Sequence, residues 1–110
     1  MVDVFYKFNF ESNFGFYGCN VALFKNGKVF GGGDGMTYTG EYKIDGKNIV
    51  ATLSIHDQKI HTNSIPLIEN GNLNLRVTGK IASPKILFTG HVIEDKNCTI
   101  KITAKRYSAF

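Results

Sequence analysis

The chain has no tryptophan, two prolines and two cysteines in 110 residues. It nowhere strings together the ~18 consecutive apolar residues that a membrane-spanning helix needs. Each scarcity removes a class of protein. The cysteines, Cys19 and Cys98, are too few for a disulfide framework and form no metal-binding pair in sequence. Buried free thiols are therefore expected, and a bridge stays open should the first and last strands meet. The N-terminus, Met1-Val2-Asp3-Val4-Phe5-Tyr6-Lys7, has an early acid and no positively charged segment ahead of an apolar run. It predicts no secretory signal and a cytoplasmic location. In so short a chain, the ~9–11-residue lipid-facing strands of a membrane barrel are not expected either.

What the chain does have is twelve glycines and a rich supply of Phe, Tyr, Val, Ile and Thr. β-Branched and aromatic side chains fit a pleated surface, so this mixture favours strands joined by tight turns. Hydrophobic residues at 43% against 20% charged are ordinary for one folded domain, taken as residues 1–110. The formal net charge is +4 with a pI near 9.1. Along the sequence the lysines mostly flank turns and alternate with acids, with only Lys101, Lys105 and Arg106 forming a basic end. A solvated surface is predicted, with no direct nucleic-acid binding.

Asn26-Gly27 and Asp45-Gly46 are the strongest hairpin signals, because a type I′ turn needs positive φ at both central residues. Asn70-Gly71, Ser83-Pro84 and Glu94 to Asn97 mark three further turns. Between the turns the apolar period is two. Val4, Tyr6, Phe8 and Phe10 share one face of a first strand, and a second runs from about Tyr17 to Lys25, pairing with Lys28 to Gly31. Met36, Tyr38, Gly40, Tyr42 and Ile44 alternate with polar residues, as do Ile49, Ala51, Leu53 and Ile55 in the next strand. Leu73, Leu75 and Val77 follow, then Ile86, Phe88 and Val92, then Ile100, Ile102 and Ala104. About eight strands with turns every ~10 residues predict an all-β antiparallel meander closed into a barrel, since closure removes exposed edges. Such a barrel is either filled by side chains or holds one small apolar ligand.

The sequence offers no convergent chemistry. His56, His61 and His91 match no metal-ligand spacing, and Glu94-Asp95 occupies a turn rather than a shared substrate face. Cys19 has no helix N-terminus to activate it, and no nucleophile elbow is present. Gly31-Gly32-Gly33-Asp34-Gly35 lacks the Lys-Ser/Thr and the helix of a phosphate loop and reads as a glycine-rich bulge or corner. The formal glycosylation triplet Asn97-Cys98-Thr99 is discounted together with the secretory signal. No enzyme, no catalytic residue, no metal and no cofactor are predicted. The early aromatics have only Lys7 among them, so core packing is favoured over a base-stacking platform. Phe14 and Phe16, around Gly15, are the least obviously buried and are candidates for a dimer contact or a barrel-mouth lid.

The segment from Val21 to Tyr42, with Gly32-Gly33-Asp34 followed by Tyr38-Thr39-Gly40, resembles the signature hairpin of the GrlR-like family, negative regulators of bacterial type III secretion. A looser likeness continues through Ser64-Ile65 and the Leu73 and Leu75 strand. The resemblance implies an eight-stranded, lipocalin-like barrel that dimerises, lacks enzymatic activity and represses by sequestering a transcriptional activator. It also implies an apolar cavity that accepts a lipid. Members of that family carry four consecutive acids just after Tyr-x-Gly that contact the activator. The corresponding hairpin here, Asp45-Gly46-Lys47-Asn48, has one acid and one base, which removes the charge that would meet a basic partner. The leading expectation is a homodimeric regulator acting through a protein partner, and the alternative is a carrier of a small apolar ligand such as a lipid.

Overall fold

The computed structural model describes residues 4–14, 18–33, 36–57, 72–82 and 84–107. Eight antiparallel strands follow one another around a closed barrel: β1 (Val4–Ser12), β2 (Gly18–Lys25), β3 (Lys28–Gly33), β4 (Met36–Asp45), β5 (Asn48–Asp57), β6 (Asn72–Ala82), β7 (Lys85–Val92) and β8 (Asp95–Arg106). Each strand pairs with its neighbours in sequence, and β1 pairs with β8 from Tyr6 opposite Arg106 to Ser12 opposite Ile100. The all-β meander barrel read from period-two patterning is the architecture observed.

Two turns differ in their chemistry. Asn26 and Gly27 have φ of 50° and 78°, as a type I′ turn requires. In the second hairpin Asp45 instead pairs with Asn48, which makes Gly46 and Lys47 the central residues. Only Gly46 has positive φ there, at 63°, so this turn is of the II′ kind, with glycine in the first central place. Asp45 is the last residue of a strand and not half of the turn. Of the glycine run, Gly31, Gly32 and Gly33 continue β3 and pair with Tyr38, Thr37 and Met36, while Asp34 and Gly35 lie outside the described residues. The last turn is Ile93-Glu94, after which Asp95 opposes Val92 while Thr99 opposes His91. Residues 96 to 98 therefore form a bulge in β8 rather than a turn. The Asn70-Gly71 turn and the Ser64-Ile65 segment lie outside the described residues, as does His61.

The inward face of every strand supplies the core. Phe8 is fully buried, and around it stand the rings of Phe10 at 5.8 Å, Phe24 at 5.9 Å, Tyr38 at 6.2 Å and Phe88 at 6.3 Å. β1 is hydrogen-bonded only to β2 and β8, so the contacts to Tyr38 on β4 and Phe88 on β7 span the lumen. Phe24 of β2 likewise stacks with Phe88 at 6.5 Å. Aromatic rings thus fill the barrel across this level, each fully buried one contributing about 2–3 kcal/mol. Ile44 departs from the predicted alternation and is 38% exposed. β3 begins at Lys28 opposite Glu41, and Ile44 runs past the end of that neighbour.

Candidate functional site

The hairpin carrying the Gly-Gly and Tyr-x-Gly pattern is built for close approach. Gly33 has φ of +147°, and a Cβ there would lie 2.8 Å from the Asn20 amide. A Cβ on Gly40 would lie 2.2 Å from the Thr52 carbonyl oxygen, so only glycine lets β4 press against β5 at that point. Gly32 is equally hemmed in, by the Met36 carbonyl at 2.5 Å. Tyr38 is 1% exposed and points its hydroxyl at Asn20, the buried polar residue of the core. With the Asn20 amide turned to suit its neighbours, its nitrogen donates to the carbonyls of Cys19 at 3.2 Å and Gly33 at 3.0 Å, and its oxygen accepts from the Tyr38 hydroxyl. These bonds satisfy the buried Asn20 amide and tie β2 to β3 and β4. Asp34 lies outside the described residues.

The other sequence candidates are not gathered into one site. Asp45, Gly46, Lys47 and Asn48 are exposed at the end of the barrel where β4 turns into β5. Phe14 is at the opposite end, after β1, half-buried against the core with its amide donating to Ser12 Oγ at 3.4 Å. Phe16 is outside the described residues. The thiols are both free. Cys19 is exposed, not buried, because its β2 position opposite Asn9 faces outward. Cys98 sits in the β8 bulge, with Sγ 3.8 Å from Asp95 Oδ2, and burial together with that carboxylate pushes its pKa up, away from a reactive thiolate.

Several other polar groups are engaged on the outer wall. His56 Nδ1 meets Asn72 Oδ1 at 2.8 Å, and His91 Nδ1 donates to the Val92 carbonyl at 2.9 Å. Glu94 accepts from Asn74 Nδ2 at 2.8 Å, while Asp95 accepts from the Asn97 amide at 2.9 Å. The two adjacent carboxylates therefore serve separate structural contacts. Lys28 pairs with Glu41, whose carboxyl is held below its usual range by that lysine. Among the described residues no three His, Cys, Asp or Glu side chains converge in a way that would hold a metal ion, and no helix is long and apolar enough to cross a membrane.

Two outer-wall features emerge only from the strand register. Phe5 of β1 opposes Leu23 of β2, which opposes Phe30 of β3, giving an apolar row across three strands with Phe5 40% and Phe30 49% exposed. One step along the strands, Lys7 of β1 opposes Lys105 of β8, which opposes Lys85 of β7. All three lysines are exposed. Lys85 and Lys105 meet through the β7–β8 hairpin, and closure of the barrel between β1 and β8 adds Lys7, 78 residues before Lys85 in the chain. Reading charge along the sequence missed this row, and the only sequence signal for it was the period-two parity that sent each lysine outward. No protein-family model and no curated protein matches this chain.

Proposed function

We propose that this protein is a non-enzymatic regulator that works by docking a protein partner on the outside of its barrel. The observation that carries the reading is the row of Phe5, Leu23 and Phe30 across β1, β2 and β3, in which Phe5 and Phe30 are exposed and Leu23 is half-buried between them. Contiguous exposed apolar surface is the kind that partners cover, with aromatic residues as its strongest anchors. The likeness of Gly32-Gly33-Asp34 and Tyr38-Thr39-Gly40 to the GrlR-like hairpin supports a bacterial, cytoplasmic negative regulator, homodimeric and acting on an activator of a secretion system. The Asp45 to Asn48 hairpin lacks the acidic run of that family, so contact with a basic activator is not assigned to it. The aromatic filling at the level of Phe8 speaks for a wall function over the carrier alternative, in which a lipid would need that space.

The test is co-purification from native cells with the wild-type chain and with Leu23→Asp and Phe30→Asp. A protein retained by the wild type and by Lys43→Ala, but lost by both aspartate variants at unchanged melting temperature, supports the reading. It fails if the wild type retains no partner and deletion of the gene leaves transcript levels unchanged.

A further inference from the structure

The three lysines take no part in the regulator reading, although Phe5 beside them does. On an antiparallel sheet, like charges directly opposite one another destabilise the pairing. Here two such pairs are stacked in sequence, Lys7 with Lys105 and Lys105 with Lys85. Among the described residues none of the three is in an ion pair with a carboxylate, and the ion pair that does form, Lys28 with Glu41, is on β3 and β4. The row is also the middle of a wider basic sector. Lys80 on β6 and Lys101 on β8 flank it, whereas Arg106, at the end of β8, has the inward parity and lies opposite Tyr6 at the barrel mouth. Glu11, opposite Lys101, and Asp95, at the far end of β8, are the acids on these strands. Across the barrel β2 to β5 carry Lys25, Lys28 and Lys43 against Glu41, Asp45 and Asp57, with no such imbalance.

Aromatic rings border the lysines on one side. Phe5 and Tyr107 stand opposite each other, joined by the Tyr107 amide donating to the Phe5 carbonyl at 3.0 Å. They are 40% and 38% exposed. They occupy the row next to Lys7 and Lys105, a two-residue strand step of about 7 Å away. On the other side, two shallow depressions of about 600 and 530 Å³ share Thr78 and Thr89 and run past Lys101 on one flank and Leu87 and Lys80 on the other. Neither depression is lined by Lys7, Lys85, Lys105, Phe5 or Tyr107, and the first also holds the Glu11 carboxylate.

We infer that this seam is a track for single-stranded nucleic acid, with phosphates on Lys7, Lys105 and Lys85 and bases stacked on Phe5 and Tyr107. A line of cations beside exposed rings is the combination that holds an unpaired strand, because the cations take the backbone and any base offers a face to an aromatic ring. A duplex hides those faces, and the described part of the wall offers no helix to enter a groove. An acidic protein segment would use the lysines, but its carboxylates carry no aromatic face to stack on either ring. The strand is held by charge and stacking, so recognition is tolerant of sequence.

The test is fluorescence anisotropy of a labelled oligothymidylate of about 15 nucleotides with the full chain, titrated at several salt concentrations. Three phosphate contacts predict a slope of about −2 in log K against log salt. Replacing Lys7, Lys85 and Lys105 together by alanine is expected to weaken binding at least about tenfold and flatten that slope. Phe5→Ala or Tyr107→Ala is expected to weaken it about tenfold at unchanged slope. Lys43→Ala, on the other side of the barrel, leaves both unchanged, and melting curves confirm that every variant is folded. Absence of oligothymidylate binding by the wild type overturns the inference, as does binding that the triple variant retains. Equal binding of a duplex, or tighter binding of a polyglutamate peptide through the same lysines, also overturns it.

Discussion

The lumen of this barrel and the seam on its outside are made by the same strands from alternate residues, yet they answer to opposite physical demands. Inside, Phe8 touches rings from β1, β2, β4 and β7, and every neighbour gains from its presence. Outside, Lys7, Lys105 and Lys85 stand side by side across β1, β8 and β7, and each loses by its neighbour's charge. The interior residues are explained by the fold they hold together. The seam residues are not, and a group that the fold would be better without is where function is best sought.

The contrast is broken most sharply by truncating the centre of the lumen. Phe8→Ala removes a ring that bridges non-adjacent strands and is expected to cost about 3–5 kcal/mol, read as a fall in the urea midpoint at unchanged m-value. Lys105→Ala, in the middle of the basic row, should instead leave stability unchanged or raise it by up to about 1 kcal/mol. A clear loss in the same urea experiment would mean that the lysine stem packs as part of the wall and that the two regions share one role. The smallest effect is expected where they meet, at the barrel mouth. Burial raises the Tyr6 pKa, Arg106 partly offsets this and Tyr42 adds to it. Because the folded-state value is the higher one, the phenol costs nothing at neutral pH, and stability is lost as pH rises beyond the ordinary tyrosine range near 10. Melting temperatures of the wild type and Tyr6→Phe should run together to about pH 9 and then diverge, with the wild type falling faster.

Much of the barrel was legible in the sequence because its signals are local. Alternation in Val4 to Phe10, Met36 to Tyr42 and Ile49 to Ile55 correctly marked the inward side chains, and Asn26-Gly27 located its turn to the residue. The misreadings fall where a neighbour decides the outcome. Ile44 is exposed because β3 has already ended beside it, Cys19 is exposed by its parity in β2, and Gly31 to Gly33 continue a strand because β4 lies against them. Gly40 drew notice as part of a pattern, but its reason, a carbonyl 2.2 Å from any Cβ, belongs to the paired strand.

Sequence by itself determined the period, and with it which side of each strand is apolar, since successive residues on a strand face opposite ways whatever surrounds them. Only the tertiary structure decided which outward residues share a row. Register between β1 and β8 joins positions near the two ends of the chain, and nothing local encodes that Lys7 will lie against Lys105 or Phe5 beside Tyr107. A lysine's direction is a property of its own strand. Its company is a property of the closed barrel.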